Sequence, residues 1–233
     1  AIDKPPGVTS RRVVDAVSHS LRTKAVGHAG TLDPLASGIV VVCVGYARKL
    51  VDFIHQQEKA YTVSFLLGRS SPSDDFETNV TRETKPYRPS LEEIERSLDN
   101  QRGTILQIPC SYSAKRVAGK RAYKLARLGK EVILQPKEIR VSHLEITAYE
   151  WPRLELSLVC SSGTFVRALG RDIAKSVGTC AVMETLIRTA VGPYLLDAAI
   201  PFSAITKDDI GKRFIEAALH QPASALPHLQ KRT

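Results

Sequence analysis

The feature that most constrains this chain is the segment Gly27–Gly38, which reads GHAGTLDPLASG. It holds one carboxylic acid, Asp33, among residues that are small or apolar apart from a single histidine. The glycines permit turn conformations, and Pro34 biases Asp33 towards extended backbone. An acid on such a stiff turn is typical of a catalytic or ligand-facing carboxylate. An Asx-turn before proline is the structural alternative.

A second segment that could take part in catalysis, Ser161–Arg167, follows a predicted strand. Its glycine permits a sharp turn, and Arg167 falls in the first turn of the next predicted helix. An arginine beside a carboxylate keeps the acid ionised and fixes its orientation. Such an aspartate can act as a nucleophile or stabilise a developing cation. We therefore expect Asp33 and Arg167 to pair; for Arg167, a position on the helix surface is the alternative.

The charge balance favours a polyanionic partner. Lys and Arg number 33 against 24 Asp and Glu, which gives a formal net charge of +9. Such an excess is typical of proteins that bind RNA, DNA or an anionic surface, although a solvated basic face is the alternative. The two basic clusters are Lys115, Arg116, Lys120, Arg121, Lys124, Arg127 and Lys130, and Arg11, Arg12, Arg22 and Lys24.

Cysteine usage and the missing motifs narrow the function further. Cys43, Cys110, Cys160 and Cys180 are widely spaced, which predicts free thiols in a reducing compartment rather than a zinc site or disulfide framework. No apolar run reaches the roughly 20 residues that cross a bilayer, so the cytoplasm is the expected location. We find no phosphate-binding loop, HExxH or nucleophile elbow, and expect neither a cofactor nor a metal.

Hydrophobic periodicity predicts an α+β fold with a largely antiparallel sheet, because strands and helices are mixed without strict βαβ alternation. Asp74, Asp75 and Glu77 mark a polar loop. The predicted helices are 9–23, 47–57, 90–99, 119–129, 163–177 and 206–220, and the predicted strands are 38–45, 60–68, 104–108, 138–150 and 153–161.

Several segments, in one order, resemble the TruB family of tRNA pseudouridine synthases. They are Asp3–Ser10, Gly27–Gly38, Glu58–Tyr61, Gln107–Pro109, Tyr112–Ala114, Gly119–Tyr123, Gly163–Arg167 and Leu186–Thr189. The likeness extends to about residue 201, and the GTLDP block separates this family from other pseudouridine synthases. Two departures are Phe165, where the family often has tyrosine, and the sequence DFET at 75–78, which lacks the usual closing glycine.

The resemblance implies a pseudouridine-synthase-type sheet flanked by helices and the isomerisation of uridine at position 55 in the T-arm loop of tRNA. The target base would be flipped out of the loop before reaction. By the same resemblance, Asp33 is the catalytic aspartate, Tyr61 the base-stacking tyrosine, and Arg167 the arginine paired with the acid. The residues implied to bind the substrate are His28, Phe165, Leu186 and Lys49.

The same resemblance sets the expected organisation and partners. Residues 1–201 are expected to form the catalytic domain, and 202–233 a C-terminal helical extension of it without a complete PUA domain. The T-arm stem-loop of tRNA is the expected partner of a monomer that needs no second protein.

Two other functions fit part of the pattern. A non-catalytic tRNA-binding or tRNA-folding module would use the basic residues alone, but binding would not require Asp33 together with Tyr61 and Arg167. A nucleoside glycosidase would usually need a second carboxyl group and a water.

Overall fold

The computed structural model describes residues 1–117, 119–205 and 215–216. The strands are β1 (Ile2–Lys4), β2 (Val26–His28), β3 (Ser37–Val40), β4 (Val42–Val44), β5 (Lys59–Leu67), β6 (Arg69–Ser70), β7 (Thr81–Arg82), β8 (Gly103–Gln107), β9 (Arg116–Val117), β10 (Lys120–Arg121), β11 (Lys137–Glu150), β12 (Arg153–Cys160), β13 (Ala181–Val191), β14 (Tyr194–Leu195) and β15 (Ile200–Pro201). The helices are α1 (Ser10–Ser20), α2 (Val51–Gln56), α3 (Leu91–Asp99), α4 (Ala122–Arg127), α5 (Val166–Ser176) and α6 (Phe202–Ile205), with 3₁₀ helices at Gly45–Leu50 and Leu196–Ala198.

The chain folds into two compact units. The first consists of Ala1–Tyr61 and the described residues from Ile187 onward, and the second of Thr62–Leu186. The chain therefore leaves the first unit within β5 and returns to it within β13.

In the first unit the strand order is β15–β1–β3–β13. β1 pairs parallel with β15 and antiparallel with β3, while β3 pairs parallel with β13. Helix α1 begins where the Thr9 hydroxyl accepts a hydrogen bond from the Arg12 N–H, and it buries Val13, Val14 and Val17. The core beneath the sheet is a cluster of small and β-branched side chains: Ala29, Ile39, Val41, Cys43, Ile54 and Val191.

In the second unit the order is β13–β5–β12–β11–β8. The β11–β12 hairpin is antiparallel, with Leu144 opposite Leu158. Alternate residues of β12 are buried, as expected for a sheet with one face on the core. Helix α3, which opens with a capping box between Ser90 and Glu93, packs against α5 and β11.

The predicted α+β fold with a largely antiparallel sheet is confirmed, as are α1, the capped α3 and the β11–β12 hairpin. Other elements differ from the prediction. The single strand over 38–45 is two strands, β3 and β4, separated at Val41; the helix over 119–129 shortens to α4; and β13 was not predicted. The helix over 206–220 lies almost wholly outside the described residues, so the proposed role of 202–233 stays a prediction.

All four cysteines are free, and Cys43, Cys110 and Cys160 are buried. Among the described residues, no helix is long and apolar enough to cross a membrane.

Gly170 sets how closely α5 packs on the sheet. A Cβ built at this position would lie 2.0 Å from Cε1 of Phe65, whose side chain is 1% exposed. Because the Phe65 ring has no free space to move into, only glycine fits here.

We therefore expect Gly170→Ala to lower the free energy of unfolding by about 2–3 kcal/mol through overpacking. Urea denaturation followed by circular dichroism measures this. Gly27→Ala is the matched control, because a Cβ there meets nothing within 4 Å and its φ is ordinary. Equal midpoints for the two variants would contradict the proposed contact.

Candidate active site

Asp33 lies in the connection between β2 and β3, which we call the aspartate loop (residues 29–36). Its carbonyl accepts a hydrogen bond from the Ala36 N–H at 3.1 Å, which closes a turn. Leu32 and Ala36 are buried and anchor the loop, whereas Thr31 and Pro34 are exposed. Asp33 itself is half-buried. The loop is thus anchored by Leu32 and Ala36, and the Asp33 side chain is partly accessible.

Buried polar side chains fix the backbone of the aspartate loop. The Ser10 hydroxyl donates to the Leu32 carbonyl at 3.0 Å and accepts from the Leu32 N–H at 2.9 Å. Lys4, which is fully buried, donates from Nζ to the carbonyls of Ala36 at 2.5 Å and Pro34 at 3.4 Å. Burial and the nearby Arg188 charge lower the pKa of Lys4 to about 8, and Asp33 opposes this shift.

Arg188 reaches the same loop from β13. It is 2% exposed, and its guanidinium donates to the carbonyls of Ile39, Thr31 and Gly30. Buried carbonyls need hydrogen-bond donors, and the guanidinium offers several in a fixed plane.

His28, at the end of β2, is half-buried. No hydrogen-bond partner for its buried Nδ1 lies among the described residues. Burial, and then the charge of Arg188, lower the pKa of His28 below its usual value. The side chain is therefore neutral at pH 7, where it offers one donor and one acceptor rather than a charge.

Tyr61 and Lys49, also in the first unit, have different environments. Tyr61 is 8% exposed within β5, as expected for an aromatic side chain packed in a sheet. This burial does not test its proposed role in base stacking, which stays a prediction. Lys49 is exposed, with Nζ 5.6 Å from the centroid of the Tyr46 ring. With Arg48 it lines an open concavity of about 510 Å³, which makes this a basic surface suited to phosphate.

In the second unit, Arg167 lies in the first turn of α5, as predicted, but it is only 5% exposed. Its Nη1 lies 3.3 Å from Oδ2 of Asp75 and donates to the Ser73 carbonyl at 2.8 Å. Its Nη2 donates to the Tyr112 carbonyl at 3.1 Å. The alternative of a surface arginine is therefore wrong, and the predicted pairing with Asp33 stays a prediction.

Asp75 is a functional candidate that the sequence reading missed. The segment around it was read as a polar loop, yet Asp75 is 2% exposed and Ser73 is fully buried. Asp75 Oδ1 accepts from the Glu77 N–H at 2.9 Å, and the Asp75 carbonyl accepts from Ser71. The carboxylate is thus held by backbone on one side and by Arg167 on the other. Two adjacent aspartates after a strand were the only local signal.

A second arginine of α5 holds the neighbouring aspartate. Arg171 Nη1 lies 3.2 Å from Oδ2 of Asp74, and its Nε lies 3.0 Å from Oδ1 of Asp172. Asp74 has a φ of 60°, which is uncommon for a residue other than glycine.

Phe165 and Leu186, which the family resemblance implies bind the substrate, both lie in the second unit. The Phe165 N–H donates to Gln107 Oε1 at 2.8 Å, and its carbonyl accepts from Gln107 Nε2 at 3.1 Å. Gln107 is buried and so fixes the backbone where α5 begins. Leu186 is 7% exposed within β13.

The predicted basic cluster of the second unit is mostly exposed, and two of its arginines have partners within the unit. Arg121 Nη1 donates to the Ala114 carbonyl at 2.5 Å. Arg127 lies 2.5 Å from Oε1 of Glu77 and 5.3 Å from the ring centroid of Tyr123.

Lys120 lies in β10 and Lys124 in α4, whereas the predicted helix over 119–129 contained both. Among the described residues, no group of three or more His, Cys, Asp or Glu is arranged for a metal ion.

Known proteins resemble this chain over most of its length. Residues 18–166 match the model of the TruB family pseudouridylate synthase (N terminal domain). The chain is 36% identical to the tRNA pseudouridine synthase B of Rhodopirellula baltica, over 97% of this chain and 70% of that protein. It is 41% identical to the tRNA pseudouridine synthase B of Cutibacterium acnes, over 85% of this chain and 68% of that protein.

Solved structures share the fold at lower identity. An archaeal box H/ACA sRNP Nop10–Cbf5 complex matches with a TM-score of 0.70 and 22% identity, over 97% of this chain and 60% of that chain. A Cbf5–Nop10–Gar1 complex matches with a TM-score of 0.69 and 24% identity, over 95% of this chain and 56% of that chain. This chain therefore spans less than two thirds of either solved chain.

The pKa of Lys4 predicts a pH-dependent stability. Between pH 8 and 10.5 the unfolded chain binds a proton at Lys4 that the folded protein lacks, so stability rises with pH in this window. Below pH 8 the folded protein carries a buried ammonium, and this gain is lost. We expect the unfolding free energy of wild type, minus that of Lys4→Met, to increase from pH 7.5 to pH 10. Urea midpoints across the series measure it, and a constant difference would contradict the burial effect.

Proposed function

Since the chain belongs to the TruB family of pseudouridylate synthases, we propose that it converts uridine to pseudouridine at position 55 in the T-arm loop of tRNA. The family assignment rests on the match over residues 18–166 and on relatives at 36–41% identity over most of the chain. The position within tRNA and the residue roles are part of the proposal.

The proposed reaction is an isomerisation without a co-reactant. The bond from ribose C1′ to uracil N1 breaks, the uracil rotates, and C1′ bonds to C5. N1 takes up one proton and C5 loses one, so atoms and charge balance. Because uracil has to remain bound while it rotates, a pocket with little water suits the reaction better than a hydrolytic site with two carboxyl groups and a water.

The observation that carries this proposal is the way Asp33 is presented. A single half-buried carboxylate lies on a loop whose backbone is held by Ser10, Lys4 and Arg188. Preorganised groups of this kind stabilise charge that develops during reaction. We assign Asp33 the role of acting on the extruded nucleotide, either by bonding to it or by stabilising the oxocarbenium character of its ribose.

Arg167 supports this role as a fixed cation. The Asp75 carboxylate and two carbonyls hold the guanidinium in one orientation. A cation so restrained keeps a partner carboxylate ionised. We further propose that Tyr61 stacks on the target base, and that Phe165 and Leu186 line the uracil pocket.

The remaining assignments concern the RNA and the compartment. Lys49 and the exposed basic residues would contact phosphates, and neutral His28 would support the loop from which the base is flipped. Four free cysteines are consistent with a reducing compartment, so we place the protein in the cytoplasm. tRNA is the proposed partner, and no cofactor is needed for the isomerisation.

Asp33→Asn tests the catalytic assignment. The amide keeps the size of the side chain but removes its charge, so we expect turnover to fall by about 1,000-fold or more. Tritium release from a tRNA transcript labelled at C5 of uridine measures turnover, and filter binding measures affinity.

Each outcome of that assay separates the candidate functions. Turnover retained by Asp33→Asn would remove Asp33 from the chemistry. Tight binding by wild type without tritium release would favour the non-catalytic RNA-binding module. Release of free uracil would indicate a glycosidase.

Arg167→Met tests the fixed cation. We expect turnover to fall by about 100-fold while affinity for tRNA changes little, because the guanidinium orients a carboxylate and is not exposed to RNA. Arg171→Met is the matched control. It removes another arginine of α5, one that pairs with Asp74, the residue next to Asp75 in sequence. Equal losses of turnover in both variants, or parallel losses of turnover and affinity in Arg167→Met, would argue against the assignment.

A further inference from the structure

We propose that Arg188 is a positioning residue for this reaction: its guanidinium fixes the backbone on both sides of Asp33 and so sets the direction of the carboxylate. The inference rests on the proposed role of Asp33. It adds a residue that acts through the loop and not through the substrate.

The hydrogen bonds of Arg188 span the aspartate loop. Nη1 donates to the Thr31 carbonyl at 3.2 Å and Nη2 to the Gly30 carbonyl at 3.3 Å, on the side that precedes Asp33. Nε donates to the Ile39 carbonyl at 2.7 Å, on the side that follows it. Three nitrogens of one planar group therefore hold the start of the loop at a fixed separation from β3, the strand that follows it.

The Arg188 backbone holds the same loop end. Arg188 pairs with Gly38 in the parallel β13–β3 register. A Cβ on Gly38 would lie 2.3 Å from the Arg188 carbonyl oxygen, and Gly38 has a φ of 102°. Position 38, just after the loop, is therefore a glycine because the Arg188 backbone occupies the space a side chain would need.

The environment of Arg188 is unusual for a buried arginine. Among the described residues, no carboxylate lies within 4 Å of its guanidinium, and its hydrogen bonds go to carbonyls. Its charge also depresses the pKa of Lys4 and of His28, and Asp33 raises that of Lys4. Arg188 therefore acts electrostatically on a second buried cation, Lys4, which is in turn coupled to Asp33. A neutral side chain that merely filled the space would not provide this field.

The geometry distinguishes positioning from a general structural role. A lysine at this position would keep the charge, but its donors radiate from one nitrogen and could not reach both ends of the loop. Loss of the three guanidinium hydrogen bonds would leave the fold largely intact and let the Asp33 carboxylate move. A displacement of about 1 Å at a reacting group can cost about 100-fold in rate.

The experiment compares Arg188→Lys and Arg188→Met with wild type. It measures the single-turnover rate of pseudouridine formation at saturating tRNA, the Kd for tRNA by filter binding, and thermal unfolding. Val17→Ala is the stability control, because it removes buried core volume from α1 in the same unit without touching the loop's hydrogen bonds. Arg188→Lys decides the question if the methionine variant does not fold.

We expect Arg188→Lys to lower the rate at least about 10-fold, and Arg188→Met about 100-fold, with Kd within about threefold of wild type. A wild-type rate in folded Arg188→Lys would overturn the proposal. So would a loss of Kd equal to the loss of rate, or the same loss of rate in Val17→Ala. If wild type itself forms no pseudouridine, the proposed function has failed before Arg188 is tested, so the two failures are distinct.

Discussion

The geometry of the aspartate loop depends on buried cations that donate to backbone carbonyls around Asp33. Burying an ammonium or guanidinium is costly unless acceptors replace its water. Here the acceptors are carbonyls of the aspartate loop, so the loop cannot change shape without leaving a buried charge unsatisfied. Because Lys4 and Arg188 are buried, the loop has to keep the backbone shape that satisfies their hydrogen bonds. Under the role proposed for Arg188, these distant side chains set the direction of Asp33 more than its own neighbours in sequence do.

The second unit fixes its cation differently. Arg167 is paired with a carboxylate, Asp75, and both are almost fully buried. A buried ion pair is favourable only when further hydrogen bonds satisfy both members. The Ser73 and Tyr112 carbonyls do so for the arginine, and the Glu77 N–H does so for the aspartate. The guanidinium therefore has one orientation, which a surface arginine would not have.

Local patterns predicted the elements whose signals are local. Helices α1 and α3 and strand β12 were predicted, because the signals for each depend on neighbours in sequence. β13 was missed because its segment AVMETLIRTAV mixes helix-favouring residues with β-branched ones, and its pairing partners are far away in the chain. The burial of Asp75 depends on Arg167, and the role of Lys4 on the loop at residues 34–36; neither contact leaves a mark in the local sequence.

Three of the segments that carry the family resemblance meet at the aspartate loop. Lys4 and Ser10 lie in the first, Asp33 in the second, and Arg188 in the last, yet their side chains and backbone meet at one loop. Two of these segments hold the backbone that carries the acid. A residue can therefore belong to a family's pattern because it fixes the geometry of a catalytic group, without itself contacting RNA. Under this proposal, changes at such residues alter the rate of reaction through the shape of the loop and leave the surface presented to tRNA unchanged.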